Sequence, residues 1–280
     1  MGRSNDEIEV VVCTKDNDRT VGQALRCIVN YVPVSRLVVI DGGSCDDTLA
    51  IVRAFSADVY EDNGHGLGYA RNMALEIVRT PLFAFIDADV YIPRNWFSLV
   101  RYFRQPSTVA ANGVTLYGYG TPALQKMYER MYRKIATHVC FTNTLLKKDA
   151  IKSLGGIRRD LPSNEDWDLY ERVRKNNLKW ITDKNVVSLH PQSLTGHLRH
   201  MRWWARGAAK RRSALRPFAS SLIFSPLRAI ELGVTCHPVL LLYYPILRLY
   251  ALIGYAEGIS IERPYCHTKR PTDAKDSLMT

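Results

Sequence analysis

Three short apolar runs, set apart by segments of helical periodicity, constrain this chain more than any other feature. Ile8–Cys13 is mostly apolar and β-branched, while Arg36–Asp41 (RLVVID) and Leu82–Asp87 (LFAFID) are apolar runs that end on a carboxylate. Between them, Thr20–Tyr31, Cys45–Phe55 and Leu67–Val78 have helical spacing, and Ala57–Tyr60 reads as a short strand. A strand that is apolar on both sides must be covered on both faces. The alternation therefore predicts an α/β fold, a mostly parallel sheet with helices on both faces. In such sheets ligands sit beyond the carboxyl ends of the strands, which is where Cys13–Asn17, Asp41–Ser44 and Asp87–Asp89 fall.

After Pro93 the pattern loosens. It predicts a helix at Trp96–Arg104, a strand at Val109–Leu116, a long helix from Pro122 to His138, a helix at Trp167–Lys175, and two short strands at Lys179–Thr182 and Val186–His190. Composition changes near Ser193–His197. The expected division is a catalytic domain at 1–196, basic and apolar helices at 197–260, and a polar tail at 261–280.

Phe85-Ile86-Asp87-Ala88-Asp89-Val90 delivers two carboxylates, one residue apart, to the end of an apolar strand. One can ligate a divalent cation while the other reaches a ribose hydroxyl or a metal-bound water. Oxygen ligands suit Mg2+ or Mn2+, either of which would neutralise a leaving diphosphate. Val38-Val39-Ile40-Asp41-Gly42-Gly43-Ser44 brings a carboxylate to a turn whose glycines allow close backbone approach; the same residues also suit an Asp-Gly turn that only caps a helix. Gly64-His65-Gly66-Leu67-Gly68-Tyr69-Ala70-Arg71 opens a helix, and both a helix N-terminus and an arginine there favour a diphosphate. The spacing is not that of a dinucleotide fingerprint. His190 ends a predicted strand and is an acceptable ligand for Mn2+, although a lone histidine is more often structural.

In order along the chain, VVVCTKDND, VVIDGGSCDDT, GLGYARNMAL, FIDAD and SNEDWDLYERV resemble the motifs of inverting family 2 glycosyltransferases of GT-A (Rossmann-like) fold, over about Ile8 to His190. The resemblance implies transfer of a sugar from a nucleoside-diphosphate donor. Thr14, Lys15, Asn17, Asp41 and Arg71 would then hold the nucleotide, Gly42, Gly66, Gly68 and Ala88 would line the donor, and Asp87 would take the ribose or the metal. Asp89 would be the main metal ligand, with His190 beside it. Glu165 and Asp166 match the family's E-D motif, in which the aspartate is the general base that deprotonates an acceptor hydroxyl; Ser163 and Asn164 would otherwise merely cap a helix. Arg199 to Trp204 is similar to the Q-x-x-R-W element of processive members. Arg202 would then brace the diphosphate and Trp203 border the acceptor, but Arg199 stands in place of the glutamine and processive synthesis is not supported. Resemblance to polyprenyl-phosphate mannose synthases puts GDP-mannose ahead of UDP-sugars. Those enzymes use a phosphate acceptor and need no base, so the E-D motif favours a hydroxyl, with transfer to a polyprenyl phosphate as the alternative.

The charge is unevenly spread. Of the net +11, residues 197–280 supply thirteen Lys/Arg against five Asp/Glu. Arg199 to Arg228 contains eight basic residues and no acid, interleaved with Trp203, Trp204, Leu215, Phe218 and Phe224, the composition of an interfacial helix on anionic lipid. Leu232–Ala256 is mostly apolar but is interrupted by His237, Pro238, Pro245 and Arg248, which predicts surface-embedded helices rather than a spanning one. Burial against the catalytic domain is the competing account. The expected location is the cytoplasmic face of the cell membrane, peripheral or monotopic, since the polar, acidic Met1–Glu9 has no signal-peptide character. A basic nucleic-acid-binding protein would leave Asp87, Asp89, Glu165 and Asp166 unexplained, and a nucleotidyltransferase would show glycines directly after the first strand, where Cys13–Asp18 has none. Six cysteines without C-x-x-C spacing read as free thiols.

Overall fold

A computed structural model of the chain describes residues 7–134, 138–210 and 223–260. Arg211, Arg212, Leu215, Arg216, Phe218 and Leu222 of the basic segment, and the tail at 261–280, lie outside the described residues. In chain order the elements are β1 (Ile8–Thr14), α1 (Val21–Tyr31), β2 (Val34–Asp41), α2 (Thr48–Arg53), β3 (Asp58–Glu61), α3 (Leu67–Ile77) and β4 (Leu82–Ile86). A 3₁₀ helix (Trp96–Arg104), β5 (Thr108–Tyr119), α4 (Pro122–Lys134), β6 (Asn143–Lys147), α5 (Lys148–Ser153), α6 (Glu165–Lys175) and β7 (Lys179–Pro191) follow. The chain closes with α7 (Leu194–Ala209), α8 (Ser225–Thr235) and α9 (Leu240–Ser260).

The strands form one sheet in the order β3-β2-β1-β4-β6-β5-β7. Only β6 is reversed: it pairs antiparallel with both β4 and β5, while every other pairing is parallel. Alternation within each central strand explains why both faces need cover. Val10 and Val12, Leu37 and Val39, and Ala84 and Ile86 point to the side packed by Leu25 and Ile28 of α1 and by Trp96. Val11, Val38, Ile40, Phe83 and Phe85 point to the side packed by Ala74 of α3, Ile151 of α5 and Leu169 of α6.

Two expectations are corrected. The pair of short strands after α6 is one strand, β7, whose pairing with β5 skips between Asp183 and Val187; a β-carbon on Gly113 of β5 would meet the Val186 side chain at 2.7 Å. β6 and α5 went unpredicted, because β6 is short and opens on Asn143 and Thr144, polar residues that are here fully buried and hydrogen-bonded.

The C-terminal helices pack on this core. Leu240, Tyr243 and Leu247 of α9 cluster with Leu124 and Met127 of α4, and Ala251 and Tyr255 pack against Ala205 of α7. His197 is buried between these helices: its Nε2 lies 2.6 Å from Tyr128 Oη and its Nδ1 2.7 Å from Tyr243 Oη. Tyr243 Oη donates to the Leu194 carbonyl, so it accepts from Nδ1–H and leaves Nε2 to accept from Tyr128. The other face of α9 is also apolar, with Leu242, Ile246, Leu249 and Ile253 exposed. Among the described residues no helix is long and apolar enough to cross a membrane.

Candidate active site

The carboxyl ends of β1, β2, β4 and β7 share one edge of the sheet. Just past β4, an isolated bridge pairs Tyr91 with Leu189 of β7, with backbone bonds of 2.8 and 2.9 Å. That bridge folds the Asp87–Val90 turn onto the end of β7 and sets Asp89 Oδ2 3.2 Å from His190 Nε2. His190 Nδ1 is 3.1 Å from the Pro191 carbonyl, which fixes the ring and leaves Nε2 facing Asp89. Burial alone would raise the Asp89 pKa, but the imidazole beside it holds the carboxyl below its ordinary range. For His190 burial opposes the charged form, and Asp89 outweighs it and pushes the pKa up.

Asp87 has a different environment. Its Oδ1 lies 2.7 Å from Arg71 Nη2, and the other terminal nitrogen of the same guanidinium contacts Glu165 Oε1. Arg71 is buried, with the Phe141 ring centroid 5.1 Å and the Phe85 centroid 5.8 Å from its central carbon. Burial, reinforced by the Asp89 charge, leaves the Asp87 pKa raised in spite of Arg71. Two expected roles change. Arg71 points into the protein and neutralises two acids rather than gripping a diphosphate. Glu165, 1% exposed, is its structural partner and not a group that can reach substrate. Asp87 pairs with Arg71 while still feeling the Asp89 and His190 charges, and among the described residues no three His, Cys, Asp or Glu side chains form a ready-made metal cage.

Alongside lies an open pocket of about 920 Å3, lined by Thr14, Lys15 and Asn17 after β1, Gly42 after β2, and Asp62 to Leu67 at the start of α3 except Asn63. The Asn17 carboxamide accepts from Thr14 Oγ1 and from the Lys15 backbone at 3.1 and 3.2 Å, which shapes this loop. Asp41 closes its own turn instead of facing the pocket: its carboxylate accepts from the Gly43 and Ser44 backbone, both at 2.9 Å, and from Ser44 Oγ. Asp62, which the sequence did not single out, does the same for the glycine loop. It accepts from Gly64 at 2.7 Å and Gly66 at 3.2 Å, holding Gly66 at φ 91° so that the start of α3 faces the pocket. Gly68 has a packing role, since a β-carbon there would lie 2.5 Å from the Leu161 carbonyl oxygen. The Ala88 side chain is buried in the core.

The opposite wall comes from Arg159 to Pro162 and from the C-terminal helices through Trp203, Arg206, Lys210 and Gly258. Trp203 thus lines the pocket. Arg202 does not: it bonds Glu257 of α9, which also takes Arg206 at 2.5 Å and whose carboxyl is thereby held at a pKa of about 2. Arg199 is exposed and outside the pocket lining. Sequence reasoning gave Arg206 and Lys210 only to a lipid-facing basic cluster and passed over Arg159 and also His200, whose ring packs 5.5 Å from Trp203 and 6.2 Å from His190. The i, i+4, i+8 spacing of Arg202, Arg206 and Lys210 was the available signal.

Asp166 lies in the first turn of α6, half-buried, with Oδ1 accepting from the Trp167 backbone at 2.7 Å. Its charge is felt by Arg71, Tyr117 and Cys140, which places it over the same sheet edge. The arrangement joins the Asp89–His190 pair, a pocket with three cationic side chains on its far wall, and a carboxylate at a helix start.

A family profile described as glycosyl transferase family 2 matches residues 9–161, more than half of the chain. The chain belongs to this family. It is therefore a glycosyltransferase of GT-A fold. No curated protein matches the sequence. Among solved structures, a mannosyltransferase from Pyrobaculum calidifontis, in complex with GDP-Man and Mn2+, is similar with a TM-score of 0.65 at 16% identity, over 91% of this chain and 88% of that one. Glucosyl-3-phosphoglycerate synthase from Mycobacterium tuberculosis, in complex with Mg2+ and UDP, is similar with a TM-score of 0.53 at 17% identity, over 74% and 78%. At these identities the likeness is one of fold.

Proposed function

We propose that this glycosyltransferase moves a sugar, mannose from GDP-mannose before a UDP-sugar, onto a hydroxyl of a lipid-linked saccharide with inversion at the anomeric carbon. The observation that carries the reading is the Asp89–His190 pair at 3.2 Å, on the sheet edge that also opens the Thr14–Asn17 and Gly64–Gly66 pocket. Two protein ligands suit Mn2+ or Mg2+ in such a site, because these ions draw their remaining ligands from substrate phosphates and water. The imidazole favours Mn2+. Asp89 and His190 would hold the ion, which supplies neutralisation of the leaving diphosphate. The start of α3 and the cationic wall of Arg159, Arg206 and Lys210 favour the same negative charge. Asp166 takes the acceptor proton as the hydroxyl attacks opposite the diphosphate. The structural likeness to enzymes crystallised with GDP-Man and Mn2+, and with UDP and Mg2+, supports a nucleotide-sugar donor.

The enzyme works at the cytoplasmic face of the membrane, attached by residues 197–260. What supports this is the apolar outer face of α8 and α9, where Leu227, Ile230, Val234, Leu242, Leu249 and Ile259 are all more than half exposed, next to the basic surplus of this third. The test is a panel of nucleotide sugars with Mn2+ and lipid-linked acceptors, following diphosphate release and the anomeric configuration of the product. Release of GDP or UDP with inversion supports the reading. Absence of turnover with every donor, or retention of configuration, contradicts it.

A further inference from the structure

One turn of α7 touches both the pocket and the segment that carries Asp166. Trp203 and Arg206 line the pocket. Between them, the Trp204 carbonyl oxygen accepts from Asn164 Nδ2 at 3.0 Å and from Ser163 Oγ at 3.3 Å. Asn164 is 3% exposed and sits immediately before α6 in the left-handed region, φ 66°, and makes no capping hydrogen bond to that helix. Its amide is directed across to α7 instead. Gly207, on the same face of α7, leaves no slack, because a β-carbon there would overlap the Ser163 hydroxyl and stand 2.7 Å from the Ser163 carbonyl oxygen.

The far side of α7 is equally tight. A β-carbon on Gly254 of α9 would lie 2.8 Å from the Arg202 carbonyl carbon, and one on Gly258 would lie 2.7 Å from Ala209 Cβ. So α7 cannot shift toward either neighbour without displacing it. A general base must come within about 2.6–3.2 Å of the proton it takes, and a misplacement of about 1 Å can cost on the order of 10²-fold in rate.

The geometry points to Asn164 as a positioning residue for Asp166: it ties the start of α6 to the turn of α7 that presents Trp203 and Arg206, and so sets the base against the bound acceptor. This role rests on Asp166 being the base.

Asn164→Gly keeps the left-handed backbone accessible while deleting the amide, and Asn164→Asp keeps the shape while deleting the donor, so one variant remains if the other folds poorly. Each is measured for thermal midpoint, donor Kd, KM and kcat, alone and in the Asp166→Asn background. The expected result is a kcat loss of about 10–100-fold at unchanged donor Kd, with little further loss once Asp166 is Asn. Wild-type kcat in the single variants, or the same fold-loss in both backgrounds, overturns the role, because a general structural defect would multiply. An unaltered rate in Asp166→Asn alone overturns the base assignment itself and with it this role.

Discussion

Arg71 bridges Asp87 and Glu165, 2.7 Å from the first and in direct contact with the second, and so ties the carboxylate turn after β4 to the first turn of α6. Arg71 and Glu165 are buried while Asp87 is a quarter exposed, and removing the arginine would leave Glu165 in the interior without its counter-ion. Breaking a buried pair in this way costs about 3–5 kcal/mol. Arg71→Leu should lower the urea midpoint accordingly, and Arg71→Lys should not restore it, since an ammonium cannot reach both carboxylates as a fork. A variant as stable as wild type would show that the bridge is not holding the site together.

The proposed metal site at Asp89 and His190 predicts a separation among the acids. Asp89→Ala and His190→Ala should each weaken Mn2+-dependent binding of a nucleoside diphosphate, read by calorimetry with and without EDTA. Second, Asp87→Asn should affect protein stability, through its contact with Arg71, as well as binding. Equal, undiminished binding in Asp89→Ala would remove the ion from this place.

Buried His197 gives the fold an acid-sensitive joint. Burial, with smaller repulsions from His200 and His190, depresses its pKa from 6.5 to about 3. The unfolded chain takes up this proton near pH 6.5 and the native state refuses it until about pH 3, so acid favours unfolding across that interval. Its share of stability is complete above pH 6.5 and is lost as the pH falls toward 3. The urea midpoint of His197→Gln should therefore fall less steeply than that of wild type over this range. Parallel curves would contradict the neutral, doubly bonded imidazole.

How far these features were legible follows from the distance over which each is determined. β1, β2 and β4 announced themselves because strands buried on both faces read as continuous apolar runs, and the carboxylates at their ends came with them. Asp89 and His190 were joined on paper only through the family resemblance; in the fold the Tyr91–Leu189 bridge brings them together. Arg71 was misread because an arginine in the first turns of a glycine-led helix looks like an anion ligand, while its partner Glu165 is ninety-four residues away. Arg202 and Arg206 share a helix face and both bond Glu257 of α9, yet of the two only Arg206 lines the pocket, a distinction that spacing along one helix does not carry. Asp41 was open on paper as ligand or turn-former and Asp62 was not singled out; backbone geometry makes both turn-formers.

Membrane attachment should have a charge component and an apolar one. Protein should sediment with anionic liposomes, leave them partly in high salt, and be released fully by detergent, with basic residues near the surface contributing about 1 kcal/mol each. Replacing Lys210, Arg211 and Arg212 with Gln should reduce the preference for anionic over neutral vesicles. Replacing Leu242 and Leu249 with Ser should weaken the salt-resistant part. Unaltered binding of both variants would return these residues to a solvated face.

Glycosyl transfer assisted by a base at the start of α6 is tested most directly by Asp166→Asn, measuring donor Kd and the rate of transfer to an acceptor hydroxyl on the same preparation. The account predicts donor binding close to wild type and a transfer rate lower by about 10²–10⁴-fold, the range for losing a general base. Transfer at the wild-type rate would contradict it.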